Sequence, residues 1–160
     1  MHERAIEGLC SHQPHHQNGV VAMNQDQDGL LGAALGYIRA FEIENKRPPV
    51  VFDLGCGGGE DAVRMAVAGA KVIAIDIKDR GAEVAAKAAQ EKVVPCVSFV
   101  QMDIRKGLAP IQKKPDIVFS RGAFEALTPL DAQAVLQVLR QKNLNLVTFI
   151  SGTENAASVA

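Results

Sequence analysis

The sequence predicts an α/β fold: a doubly wound, mainly parallel sheet of about five strands in the order 3-2-1-4-5, with helices on both faces. Three observations predict it. Short apolar runs rich in Val and Ile alternate with amphipathic, Ala-rich stretches over residues 28–150, and strands alternating with helices imply right-handed crossovers and parallel pairing. The first of these runs breaks at once into alternating glycines, Gly55-Cys56-Gly57-Gly58-Gly59. The composition agrees: 48% apolar residues, no Trp, one Tyr and six Phe leave a core of Val, Ala, Ile and Leu, which suits strands buried on both faces.

The elements follow in order. Residues 28–44 carry Leu30, Leu31, Ala34, Leu35, Ile38 and Phe41 at intervals of three and four, the spacing of an amphipathic helix. Pro48 and Pro49 stop it, because a proline pair cannot continue a helix. Val50–Leu54 reads as a strand, Asp61–Ala68 as a helix ending at Gly69, and Lys71–Asp76 as a second strand. Arg80–Lys92 reads as an Ala-rich helix ending near Pro95, and Val97–Met102 as the third strand. Asp116–Ser120 follows Pro115 as the fourth strand. Pro129–Gln141 is a helix with Leu130, Ala134, Val135, Val138 and Leu139 on one side, and Leu144–Ile150 is the last strand. Residues 1–25 are polar and irregular and are expected to form a flexible arm; 26–151 form one domain; 152–160 are a frayed tail.

Charge excludes some functions. The formal net charge is −1, from 17 basic and 18 acidic residues, so no broad basic field favours nucleic acid as a partner. No apolar run approaches a membrane span, and the first residues lack the apolar core of a signal peptide. The three cysteines, Cys10, Cys56 and Cys96, make neither a disulfide framework nor a paired metal motif; reduced thiols in a cytoplasmic protein are expected. His12, His15 and His16 cluster, but in a Pro-containing polar arm, which favours a solvated tail over a metal site.

The glycines and carboxylates point to a cofactor site. Ligands of a doubly wound sheet bind outside the carboxyl ends of the strands. Gly55, Gly57 and Gly59 remove Cβ atoms that would block a ligand there. Asp76 ends the second strand, about 20 residues after the first glycine, where a carboxylate accepts from ribose hydroxyls. NAD and S-adenosylmethionine both fit so far. The dinucleotide pattern wants a third glycine where Glu60 stands. Asp53, Glu60 and Asp61 would repel a pyrophosphate but favour an ammonium and a sulfonium.

Asp53-Leu54-Gly55-Cys56-Gly57-Gly58-Gly59 resembles motif I of the class I, Rossmann-like S-adenosylmethionine-dependent methyltransferases. Ala74–Ile77, Phe99–Ile104 and Asp116–Leu127 resemble the three following motifs, in order. The resemblance implies S-adenosyl-L-methionine as cofactor and a transferase activity. It places Asp53 near the methionine amino group, and the backbone of Gly55, Cys56 and Gly57 along the methionine. It assigns Asp76 to the ribose, with Ile77 against the adenine. Asp103 would accept from the adenine amino group, and Ile104 would pack on the ring. Ser120 and Arg121 would face the methionine and the acceptor.

The chain departs from that family in having room for five strands where seven are usual. Gln141-Lys142-Asn143 replaces the usual Pro-Gly turn before the fifth. The expectation is a complete cofactor half and a thin acceptor half. The fifth strand would lie near an exposed sheet edge, open to a second copy or a partner chain. The acceptor expected is a small molecule or a protein side chain, and no residue stands out as a catalytic base. A non-catalytic S-adenosylmethionine-binding regulatory or scaffolding module is the alternative, and an NAD(P)-dependent oxidoreductase stands behind both.

Overall fold

Val50–Leu54 is apolar at every position but Asp53, and it forms the strand on which the rest of the sheet is built. The computed structural model describes residues 20–22 and 27–151. Among these, strands β1 (Val20–Ala22), β2 (Val50–Leu54), β3 (Lys71–Asp76), β4 (Val97–Gln101), β5 (Ile117–Ser120) and β6 (Val147–Ile150) make one sheet. Their order is β1-β6-β5-β2-β3-β4, and every neighbouring pair is parallel. The five strands read from the sequence therefore stand in the expected order, 3-2-1-4-5.

The sixth strand is a correction. Val20–Ala22, placed by the sequence reading inside the N-terminal arm, pair in parallel with Thr148–Ile150. The exposed edge expected beside the last strand is thus occupied by the chain's own main chain, which satisfies backbone groups that an open edge leaves unpaired. Three residues are too short to show strand alternation, so no pattern marked them. The rest of the expected arm, residues 1–19 and 23–25 with the three histidines, and the expected tail, 152–160, lie outside the described residues.

Strand alternation sends side chains to two packed layers. Val51, Val72, Ala74, Ile117, Phe119, Val147 and Phe149 meet helices α1 (Gln27–Asn45), α2 (Glu60–Val67) and α3 (Gly81–Gln90) on one face. Phe52, Leu54, Ile73, Ile75, Val118 and Ile150 meet α4 (Pro129–Lys142) on the other. The α4 face differs from the one expected. Ala132, Val135, Leu136 and Leu139 are buried, whereas Leu130 is 76% exposed. Thr128 caps α4 by accepting from Asp131 N, and Pro129 at its first position fixes where the helix begins; from that start the buried stripe runs through 132, 135, 136 and 139, and Leu130 falls off it.

At the amino ends of the strands, Asp116 joins three segments. Its carboxylate takes both Nη atoms of Arg47, at 2.8 and 2.9 Å, and the Val50 N–H at 2.8 Å. Burial pushes this carboxyl up, but the Arg47 and Val50 bonds outweigh it and hold it below the ordinary value. Asp116 therefore contributes stability that is present above the ordinary carboxylate range and is lost as pH falls through it. We expect Asp116→Ala to lower unfolding stability by about 1–3 kcal/mol, chiefly by orphaning the Val50 N–H. Asp116→Asn should lose less, because it keeps an acceptor. Urea unfolding of both variants at neutral pH and near pH 4 checks this, and the gap to the wild type should narrow at the lower pH.

Candidate functional site

The order of the strands reverses at β2. The chain leaves β2 for β3 on one side and later returns to place β5 on the other, so a crevice opens at their carboxyl ends. The loop Gly55–Gly59 fills the turn out of β2. Its first two amides both donate to the Ile75 carbonyl, at 2.8 and 3.0 Å. Gly55 has φ of 72°, and a Cβ there would stand 2.5 Å from that of Ala123. Gly55 is therefore glycine for packing against the segment after β5. Gly57 differs: its φ is 55°, yet a Cβ would meet nothing within 4 Å. That open ground at a left-handed residue is where a ligand can press on the backbone. Gly59 lies tight against Val84 of α3 and leads into α2.

Two carboxylates stand near this loop, and both push up the Cys56 thiol. Asp76, at the end of β3, accepts from Gly57 N through Oδ2 and from Lys78 N through Oδ1, both at 2.9 Å. It thus fixes the loop in place as well as facing the crevice. Asp53 lies beneath the loop and is 2% exposed. Its position alternates with Phe52 and Leu54, which puts it in the layer of α2. Its Oδ2 is buried with no hydrogen-bond partner. Burial, then the negative charge of Asp61, push its carboxyl up to about 8; Arg121 works against this and Asp76 adds to it.

An ion pair joins the segment after β5 to the first turn of α2, and both its charges act on Asp53. Arg121, just past β5, donates through Nη2 to Asp61 Oδ1 and lies with Nε against Oδ2, each at 2.9 Å. Asp61 sits in the first turn of α2. Burial raises the Asp61 carboxyl despite the guanidinium beside it. Sequence reasoning named Arg121 for the site but missed Asp61 as its partner, although Asp61 stood out as one of the acids after the glycines. It also missed Ser151. The Ser151 hydroxyl accepts from Gly122 N and its amide donates to Ser120 O, both at 2.9 Å, tying the end of β6 to the segment that carries Arg121.

The remaining expected residues divide between the crevice and other duties. Cys56 donates weakly to Gly57 O at 3.4 Å, and burial, with Asp53 and Asp76 nearby, pushes its thiol up to about 12, away from the thiolate form that a nucleophile needs. Ile77 is 56% exposed at the rim after β3. Ser120 is fully buried and donates to the Leu54 carbonyl at 3.0 Å, which pins β5 to β2. Asp103 caps a short turn, Ile104–Lys106, and binds Arg105 through both oxygens, at 2.9 and 2.7 Å. The Arg105 side-chain bond chiefly holds its carboxyl down to about 2. Ile104 packs against the α4 layer. Among the described residues no group of three or more His, Cys, Asp or Glu is placed to hold a metal, and no helix is long and apolar enough to cross a membrane.

A family model described as a methyltransferase domain matches residues 51–142, more than half of the chain. No curated protein matches the sequence. Several solved structures match in fold. Magnesium protoporphyrin IX methyltransferase from Synechocystis PCC 6803, with bound SAM, superposes with a TM-score of 0.57 at 23% identity, covering 71% of this chain and 52% of that one. A SAM-dependent methyltransferase from Geobacter sulfurreducens in complex with S-adenosyl-L-homocysteine gives 0.52 at 20% identity, over 86% and 51%. The bifunctional kinase-methyltransferase WbdD gives 0.58 at 19% identity, over 89% and 33%. The chain spans from a third to about half of the length of these structures.

The burial of Asp53 has a measurable cost. Because its folded value is raised, stability falls as pH climbs from the ordinary carboxylate range through about 8. Asp53→Asn removes the titration, so its melting temperature should exceed that of the wild type by more at pH 9 than at pH 5. Each kcal/mol of difference corresponds to roughly 2–4 °C in a chain of this size. Thermal unfolding of both proteins at the two pH values, without ligand, checks it; a constant gap refutes the assignment.

Proposed function

We propose that this chain, which belongs to the methyltransferase-domain family, binds S-adenosyl-L-methionine at the glycine-loop crevice and transfers its methyl group to an acceptor. The observation that carries the reading is the buried, unpartnered Oδ2 of Asp53 beneath a glycine loop with open ground at Gly57. A cationic amino-acid group would supply the partner that Asp53 lacks. The residues present fit the cofactor in charge as well as shape. Glu60 and Asp61 occupy the first turn of α2, where a dinucleotide's pyrophosphate would otherwise seek the helix N-terminus.

When bound, the cofactor supplies a methyl group already activated by the sulfonium. The chain's own residues hold and align it, and alignment carries much of the barrier in such a displacement. Gly57 lets the backbone approach the methionine. Asp53 faces its ammonium. Asp76, steadied by Gly57 N and Lys78 N, accepts from the ribose hydroxyls, and Ile77 offers apolar surface to the adenine. Asp103 Oδ1 is taken by Arg105 N and Nε, and Oδ2, with one bond from Arg105 Nη2, keeps a lone pair for the adenine amino group. The Asp61–Arg121 pair keeps a cation at the acceptor side without leaving it to compete for Asp53. Ser120, bonded to the Leu54 carbonyl, holds the end of β5 beside the methionine.

The acceptor favoured is a small molecule or a protein side chain, since the net charge of −1 gives no attraction for nucleic acid. Free Cys56 and Cys96 agree with a cytoplasmic setting. A cofactor-binding module that lends its site to an acceptor-holding partner is the second reading. It is favoured by the path from β5 to α4, where one short turn, Phe124–Ala126, is the only regular element. Methyl transfer assayed against an acceptor panel, beside calorimetric affinity, separates the two: tight binding without turnover selects the module.

Thermal-shift screening tests the cofactor. S-Adenosylhomocysteine should stabilise the protein and NAD(P) should not; the reverse overturns the assignment. Asp76→Ala should weaken S-adenosylhomocysteine binding at least tenfold, the scale of one charge-assisted hydrogen bond, while the unliganded protein still melts cooperatively. Unchanged affinity removes Asp76 from the site.

A further inference from the structure

Among the described residues, Asp53 is the crevice carboxylate with a buried oxygen, Oδ2, that no donor meets. Each element packed around it contributes a charge or a titratable group. Helix α2 brings Asp61, with Glu60 and Arg64 beside it; the end of β3 brings Asp76; the glycine loop brings Cys56; the segment after β5 brings Arg121. Arg121 is the cation among the groups acting on Asp53, and its Nη2 and Nε are turned to Asp61. Among the described residues no donor meets Asp53 Oδ2, and the residue is 2% exposed. An ionised carboxylate in such a place is strongly disfavoured.

Resting on the S-adenosylmethionine reading above, we propose that cofactor binding is proton-coupled: Asp53 stands as the neutral acid in the ligand-free chain and surrenders its proton when the methionine ammonium arrives. The O–H bond breaks, its electron pair stays on the carboxylate, and the proton leaves to solvent. The ammonium enters with its own protons, so the exchange is one cation for another at a single carboxyl group. The raised position of the Asp53 carboxyl, at about 8, agrees with this. Two consequences follow. Below that value the affinity for the cofactor rises with pH, by up to about tenfold per pH unit. The site also becomes selective for a cationic amino-acid end, because a neutral analogue gives Asp53 no reason to ionise.

The test is isothermal titration calorimetry of the wild-type chain with S-adenosylhomocysteine, repeated in buffers of different ionisation enthalpy. At pH 6.5 the ligand ammonium is protonated before and after binding, so any proton released belongs to the protein. The expected result is release of about one proton per ligand at pH 6.5, shrinking toward pH 8, where Asp53 is already partly ionised and the ligand amine takes up a proton of its own, and turning to uptake above that. Binding with an enthalpy that is the same in every buffer at pH 6.5 overturns the proton coupling and leaves the cofactor reading standing. Absence of binding at every pH overturns the cofactor reading and the coupling with it. As a second measurement, Asp53→Asn should bind with an affinity that is flat from pH 5.5 to 7, where the ligand amine is fully protonated and the wild type's affinity rises; a parallel rise in the variant assigns the proton to another group. If the variant fails to fold, the wild-type buffer series decides alone.

Discussion

A carboxylate near the end of a strand that is covered on both faces has nowhere to point but inward. β2 sits between β3 and β5, and the pleat that buries Val51 against α1 and α2 sends Asp53 into the same layer. Burying it costs free energy unless something polar or cationic meets it. The same position lies where the strand order reverses and a crevice opens. The glycine loop above it, the Asp61–Arg121 pair across it and the Ser151 tether behind Arg121 are all arranged around that one unpaired group.

The two ends of the sheet treat the same residue type in opposite ways. Asp116, at the amino ends, receives a guanidinium on both oxygens and a backbone amide as well. It is held ionised and joins segments together. Asp53, at the carboxyl ends, receives no hydrogen bond on Oδ2, and its nearest charged company is mostly negative. Asp53 is also the deeper of the two, at 2% exposed against a 12% exposed side chain at Asp116. The difference is that one end of the sheet spends its donors within the chain, while the other keeps a carboxyl group unspent.

Much of this was legible in the sequence, and the parts that were not have a common cause. The bounds of β2 and β3 match their apolar runs, because each begins and ends at a sharp change of residue type. The three-layer arrangement and the strand order followed from alternation of strand and helix patterns. The last strand is shorter than read: Leu144 is 93% exposed, and Asn143 accepts from Asn145 N to make a local turn before Val147. Asp53, Gly57 and Asp76 could be named because each sits at a fixed offset from a strand end. Asp61 as the partner of Arg121, and Ser151 as the acceptor for Gly122, could not, since those contacts join residues far apart in the chain and leave no local spacing. Asp103 shows the opposite failure: its pairing with Arg105 is local, but a register argument looks past a neighbour two residues away.

The pairing of β1 with β6 has a bearing on how the chain reaches this structure. Val20 is matched with Thr148, so the outermost contact of the sheet joins nearly the first and last described residues. Among the described strand pairings this contact closes the largest loop, and its entropic cost falls due before its hydrogen bonds form. On a ribosome, β1 emerges before the other described strands and waits for β6, the last of them. The interior strands have shorter separations and can assemble ahead of it. The edge should therefore be the final piece of sheet to lock and the first to open, giving the fold one slow, late seam rather than uniform cooperativity.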